Sequence, residues 1–347
     1  MSSIISSFGR DVCIDMGTVN TRVLVAGRSL LEEPSVLATD PKREGIVAVG
    51  LEAESLIRRR PDELGELWPL REGFIVDYRV THTMLNYFMH KVSRSVRRSR
   101  AFMAVPCHMT DVEMRAVMDA VMQAGARETY LIENPVSAAL GCDLPVFDAV
   151  GSMVVDIGGG TTDIAVLSLG GVVAGRTIPM GGNDWNASIF KYLKECFSIL
   201  VSDSVVEEMK QALGSAIPPM DSKDDFEYAF TGRDTTNGLK TDHSMMQSEM
   251  CQILNRPIQR LLADIKGVMR QTPPELLADI MENGIVLTGG GAQLPALAER
   301  LSKELSVPVR LAEDPCHCPV KGLSLAAKNT KAVKRFIVAS RNRKGRT

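Results

Sequence analysis

Val154-Val155-Asp156-Ile157-Gly158-Gly159-Gly160-Thr161-Thr162-Asp163-Ile164-Ala165-Val166 reads as an apolar β run ending in an aspartate, a turn of glycine and hydroxyl residues, and a second β-branched run. The same sentence occurs earlier, as Val12-Cys13-Ile14-Asp15-Met16-Gly17-Thr18-Val19-Asn20-Thr21. Each copy predicts a hairpin whose tip is open to a ligand. Small residues let backbone N–H groups approach phosphate oxygens, hydroxyls add donors, and an aspartate at the strand end can hold Mg²⁺ through water. Two such tips in one chain suggest two halves that close on one nucleotide.

A third tip, Gly284-Ile285-Val286-Leu287-Thr288-Gly289-Gly290-Gly291-Ala292, is again a strand followed by a glycine turn, and Leu294 to Leu301 after it has helical spacing with Pro295 near its start. Glycine turns between strand and helix suit flat or anionic ligands, because no Cβ blocks the approach. Alone, each cluster is a weak signal; three in this order are a strong one.

The order Asp15-x-Gly17-Thr18-x-Asn20-Thr21, then Ile132-Glu133-Asn134-Pro135-Val136-Ser137-Ala138-Ala139-Leu140-Gly141, then the Asp156 motif, then Leu287-Thr288-Gly289-Gly290-Gly291 resembles the actin, heat-shock chaperone and sugar-kinase ATPase superfamily. Within it, Glu33-Pro34-Ser35-Val36, Val49 to Ala53, Gly73 to Tyr78 and Thr272 to Ile280 resemble MreB, the bacterial actin of rod-shaped cells. The likeness runs from about Asp11 to about Ala327. It implies an α/β chain with the actin-like ATPase fold: two ribonuclease-H-like domains around a nucleotide cleft, in four subdomains. Domain I is then expected over 1–146 and 318–347, with an inserted lobe at about 32–73, and domain II over 147–317, with an inserted lobe at about 182–241.

The resemblance also implies roles. It assigns Asp15 and Asp156 to the Mg²⁺ shell through water. Gly17, Thr18, Val19, Asn20, Gly158, Gly159, Gly160 and Thr161 fall to the phosphates of ATP, and Gly289, Gly290, Gly291 and Ala292 to the third turn of the site. Lys210 falls against the nucleoside; two residues on, Ala212 stands where MreB proteins usually carry Glu. The residue before Pro135 positions the attacking water, with Thr161 helping. In MreB proteins and the chaperone ATPases that residue is Glu; here it is Asn134. An amide orients water through its oxygen but cannot take up a proton. Glu133 is the neighbouring carboxylate, although adjacent side chains on a strand point to opposite sides. Two readings stay open here: slow hydrolysis, since actin itself carries an amide at this place, and an ATP-binding pseudo-enzyme.

Composition agrees with an ordinary globular chain of two domains: 347 residues, 45% hydrophobic and 24% charged. A formal net charge of −2 argues against wholesale nucleic-acid binding. No apolar run reaches the roughly 18 residues that span a bilayer, and no secretory signal is expected before the first strand. The odd count of seven cysteines favours a reducing cytoplasm over a disulfide framework. Cys316-His317-Cys318 lacks a second ligand pair at useful spacing and reads as a packed loop rather than zinc.

Local patterns fill in the rest. Met84, Leu85, Phe88, Met89 and Val92 share one face of a helix predicted over Thr81–Ser99, and Thr110 with Glu113 predicts a capped helix to Ala124. Charge clusters where the resemblance expects a membrane-facing surface. Lys91 to Arg100 holds five basic residues (Lys91, Arg94, Arg97, Arg98, Arg100) and no acid, and 328–347 holds eight and no acid. Ile4, Ile5 and Phe8 form a short apolar face resembling the N-terminal anchor of some MreB proteins. The expected partners are copies of the same chain in filaments, anionic lipids of the inner membrane and membrane-embedded cell-elongation proteins, with no nucleic acid; the expected location is cytoplasmic, peripheral on the inner membrane. The role implied is cell shape through cell-wall synthesis, or scaffolding of another membrane assembly by a specialised paralogue.

Overall fold

Two mixed sheets carry the chain, and both are wound on one plan. A computed structural model describes residues 11–25, 30–41, 45–92, 99–107 and 109–342. In the first sheet the strands Val12–Met16, Asn20–Val25 and Leu31–Pro34 form an antiparallel meander, and Arg100–Val105 and Glu128–Glu133 run parallel on the other side of Val12–Met16. In the second, Ser152–Ile157, Thr162–Ser168 and Gly171–Ile178 form the meander, and Ile285–Thr288 and Val309–Leu311 are the parallel strands. Ile337–Asn342 returns from the end of the chain to pair antiparallel with Glu128–Glu133. Two smaller three-stranded sheets are present: Gly45–Val49 with Leu37–Asp40 and Gly65–Leu67 lies within the first stretch expected as an inserted lobe, and Ile199–Leu200 with Glu227–Asp234 and Lys240–Met246 starts within the second and runs past its expected end at about 241.

The sequence explains the burial of each layer. Ser152–Ile157, Thr162–Ser168 and Ile285–Thr288 are buried at every position, as expected for strands covered on both faces. Asn20–Val25 instead alternates half-buried and buried residues, the period of a strand with one wetter face. The predicted helix around Phe88 forms as Tyr78–Val92 with Met84, Leu85, Phe88 and Met89 fully buried; residues 93–98 lie outside the described chain. Thr110 caps Asp111–Gln123 with the predicted box: its Oγ1 accepts from Glu113 N–H at 3.3 Å, and Glu113 Oε2 accepts from Thr110 N–H at 2.8 Å. One boundary shifts. The helix expected from Leu294 begins at Leu297, because Leu294 precedes a proline and takes an extended ψ of 122°, so a 3₁₀ turn Gly291–Gln293 precedes it.

Between the sheets lie two helices, Asn134–Gly141 and Cys318–Lys328. Their Val136, Ala138, Ala139, Val320, Leu323 and Ala326 share one buried cluster with Cys13, Phe102 and Ile132 of the first sheet and Val154, Ala165 and Leu167 of the second. They meet backbone to backbone. A Cβ on Gly322 would stand 1.7 Å from Ser137 O, and one on Gly141 would stand 1.9 Å from Cys318 O.

That contact gives a stability prediction. Gly322→Ala meets main chain that cannot swing aside, and overpacking of this kind costs about 1–3 kcal/mol. Gly267, inside the helix Gln247–Gln271, has nothing within 4 Å of its added Cβ, so Gly267→Ala is the control and is expected to be neutral or to stabilise by up to about 1 kcal/mol. Urea unfolding of the two variants should move the midpoint in opposite directions; equal midpoints would contradict the close packing.

Candidate functional site

The first two tips meet face to face. Gly17 N–H donates to Asn20 C=O at 3.0 Å to close one, and Gly158 N–H donates to Thr161 C=O at 2.8 Å to close the other. A Cβ on Gly159 would stand 2.2 Å from Val19 Cγ2, and one on Gly160 would stand 2.6 Å from Thr18 Oγ1, so glycine is what lets the two hairpins close to contact. The helix Gly182–Tyr192 starts against the second tip, with Gly182 and Asn183 N–H donating to Gly158 and Gly159 C=O at 3.0 and 2.8 Å.

Around these tips opens a cavity of about 660 Å³, within the usual range for a small-molecule site. Asp15, Gly17, Thr18, Val19, Asn20, Asn134, Asp156, Gly158, Gly159, Gly160, Thr161, Lys210, Gly289, Gly290 and Gly291 all line it. Two candidates do not. Ala292 is buried behind the third turn, and Glu133, the last residue of its strand, is absent from the lining. Glu133 is therefore not placed to stand in for a carboxylate at 134.

Asn134 does something its sequence position did not reveal. Its Nδ2 donates to Asp156 Oδ2 at 2.6 Å and to Asp163 Oδ2 at 2.9 Å, bridging two carboxylates. Both partners are acceptors only, so the amide nitrogen must face them and Oδ1 must face away. Asn134 Oδ1 is buried with no partner among the described residues. Asp156 is further held by Thr288 Oγ1, which donates to Oδ1 at 2.6 Å across the parallel pair Asp156 and Thr288. Thr177 donates its hydroxyl to Asp163.

Burial dominates the electrostatics. It pushes the Asp15 carboxyl up to about 6, with Arg22 pulling the other way, and the Asp163 carboxyl up to about 6, with the Thr177 bond pulling the other way. Asp156 is raised by burial too, in spite of Thr288 and Asn134. Burial is the first cause of all three shifts, with Asp156 adding a smaller upward push on Asp15 and Asp163. Oxygen donors short of positive charge are what a hard divalent cation takes, and Asp15 and Asp156 are the residues that would hold Mg²⁺. Among the described residues no three His, Cys, Asp or Glu side chains form a group that could hold a metal ion.

Lys210, on the helix Asp203–Leu213, is drawn to Glu207 Oε2 at 2.7 Å and reaches Gly182 O at 3.4 Å. Residues missed in the sequence join the lining: Arg22, Glu32, Asp163, Trp185 and Gln293. Trp185 is 2% exposed, and its indole N–H has no partner among the described residues. Hairpin register was the available signal for Arg22: the Asp15 hairpin sets Arg22 opposite Asp15, and the next strand sets Glu32 opposite Arg22. Nothing in the sequence marked Trp185.

The family model described as MreB/Mbl protein matches residues 9–335. The chain belongs to the MreB/Mbl family. It is 38% identical over 325 residues to the cell shape-determining protein Mbl of Bacillus cereus, covering 93% of this chain and 97% of that one. It is 39% identical over 323 residues to the cell shape-determining protein MreB of Escherichia coli, covering 91% and 92%. Among solved structures, MreB5 of Spiroplasma citri bound to ADP superposes with a TM-score of 0.88 at 27% identity, covering 93% of this chain and 97% of that one. The MamK double helical filament shares the fold with a TM-score of 0.76 at 20% identity, covering 91% and 99%. The fold is the actin-like ATPase fold.

Asn134→Glu is the informative substitution here. It removes two donors from buried acceptors and adds a third carboxylate, a loss of about 1–3 kcal/mol. The folded pKa of Asp163, about 6, lies above its ordinary 3.8, so the folded state binds that proton more tightly and gains stability as pH falls through 6 towards 4. The variant's deficit should therefore be largest at pH 8 and shrink towards pH 5, as protons return donors to the cluster. Thermal unfolding at the two pH values checks this, and a deficit independent of pH would contradict the bridge.

Proposed function

We propose that this chain is an ATP-binding actin homologue that polymerises into filaments on the inner face of the membrane and organises cell-wall synthesis and cell shape. The observation that carries the reading is the pair of glycine tips in contact across a 660 Å³ cavity with Asp15 and Asp156 in its lining. The relatives named as cell shape-determining proteins support the role, and MreB5 of Spiroplasma citri, solved with ADP and with AMPPNP, supports a nucleotide as the ligand. Asp15 and Asp156 hold Mg²⁺ through water, the tips cradle the phosphates, and Lys210 with Glu207 lies at the nucleoside. Residues 1–146 with 318–347 form domain I and 147–317 form domain II; the return of Ile337–Asn342 to the first sheet supports that division.

Hydrolysis is slow on this reading. Asn134 has no proton-accepting carboxylate, its amide oxygen is buried, and its nitrogen is spent on Asp156 and Asp163. The same observation favours a second reading, an ATP-binding protein with no turnover. Phosphate release from purified protein separates the two.

The membrane reading is supported by where three segments attach. Asp11 adjoins Arg100, Glu128 pairs with Arg100 on one side and with Asn342 on the other, so 1–10, 93–98 and 343–347 all join the first sheet at one end. Ile4, Ile5, Phe8, Arg94, Arg97 and Arg98 lie outside the described residues. Arg100 is engaged inward, with Nε and Nη2 donating to the Asp11 carboxylate at 2.7 and 2.6 Å, and is not counted among the lipid contacts. Among the described residues no helix is long and apolar enough to cross a membrane.

Two measurements test the proposal. Asp156→Ala should lose Mg²⁺-ATP binding by calorimetry and ATP-dependent filaments by electron microscopy, with its circular dichroism unchanged; intact filaments in that variant would sink the site. Deleting residues 1–8 should weaken co-sedimentation with anionic liposomes at low and high salt, whereas reversing charge at Arg97 and Arg98 should weaken it mainly at low salt. Loss of filaments with lipid binding retained would place the anchor elsewhere.

A further inference from the structure

Among the described residues seven charged side chains line the cavity, five acidic (Asp15, Glu32, Asp156, Asp163, Glu207) and two basic, Arg22 and Lys210. A polyanion entering so negative a space needs positive charge, and both cations are already ion-paired. Lys210 is pinned to Glu207 at 2.7 Å. Arg22 is held between two carboxylates, Glu32 and Asp15, and keeps its Nε unspent. Its Nη2 lies 2.7 Å from Glu32 Oε1, its Nη1 lies 3.6 Å from Asp15 Oδ2, beyond hydrogen-bonding length, and its Nε is buried with no partner among the described residues.

The position is built by register rather than by chance. Asp15, Arg22 and Glu32 sit side by side on three neighbouring strands of the first sheet, so the three side chains share one face. Glu32 is itself backed by His317, whose Nε2 lies 3.0 Å from Glu32 Oε2 and whose Nδ1 lies 2.7 Å from Asp314 Oδ1. Glu32 therefore acts as a fixed post for the guanidinium. The Nη1 side of Arg22 faces Asp15, the carboxylate that, on the reading above, a divalent cation would engage. A guanidinium is always charged and carries five donors in a rigid fork, so it can compensate Asp15 and still offer donors to an anion in the cavity.

We propose that Arg22 is the resident cation of this cleft: it stands in for part of the charge of a divalent ion beside Asp15, so that nucleotide binding is only partly dependent on Mg²⁺ and the two cations compete for the same carboxylate. The inference rests on the nucleotide reading and goes beyond it. Two consequences follow from one side chain. Removing the guanidinium weakens nucleotide binding in the absence of metal, and it also strengthens the hold of Mg²⁺ by removing its competitor.

Binding of a fluorescent ATP analogue to the full-length protein, by anisotropy in EDTA and across a Mg²⁺ titration, tests both. Wild type should bind in EDTA with measurable affinity. Arg22→Leu should lose about ten-fold or more of that metal-free affinity and reach half-maximal Mg²⁺-supported binding at a several-fold lower Mg²⁺ concentration. Arg22→Lys, which keeps the charge, should recover most of the metal-free binding and guards against misfolding of the leucine variant. If wild type binds only with Mg²⁺, or if Arg22→Leu matches wild type in EDTA, the resident-cation role is overturned while the nucleotide site stands. If folded wild-type protein binds the analogue under neither condition, the nucleotide reading falls and the role of Arg22 falls with it.

Discussion

Everything around the cavity answers to one electrostatic constraint: buried carboxylates must be kept charged, or nearly so, away from water. Asp156 is at the centre of this. It sits at the end of a strand buried at every position, and burial raises its pKa. Its two oxygens are met from two different parts of the chain, Thr288 from the third glycine motif and Asn134 from the start of the helix between the sheets. Three motifs far apart in sequence are thereby tied through one side chain. Burying such a group without partners costs several kcal/mol, so the donors and the carboxylate are one unit.

That unit gives Asn134 a meaning that its chemistry alone does not. As a replacement for glutamate it is a weaker water-positioning group. As a bridge between Asp156 and Asp163 it fits the site, because its amide nitrogen carries two hydrogens and gives one to each carboxylate.

Much of this was legible in the sequence, and the illegible part has a common cause. The tips were visible because glycine, hydroxyl and aspartate at fixed spacing leave few other uses, and the capping box at Thr110 and the Phe88 helix were visible because their physics is local. Arg22, Glu32 and Trp185 were missed because their roles arise from pairing across strands or from packing between segments. Glu133 and Ala292 illustrate the converse: both sit inside a motif, yet one belongs to a strand end outside the lining and the other to the support of a turn. The late start of the Leu297 helix shows a local rule, the restriction placed on the residue before proline, overriding hydrophobic period.

The crossing of Asn134–Gly141 with Cys318–Lys328 has a mechanical consequence. At Gly141 and Gly322 the two main chains touch, leaving no side-chain layer to compress. The sheets on either side cannot approach at that point, and the shared apolar cluster resists their separating there. Any rotation that changed the width of the cavity would have this spot as its fulcrum. Asn134 opens the first turn of one of the crossing helices, so it would lie on the short arm of that lever, where the bridged carboxylates would be displaced least.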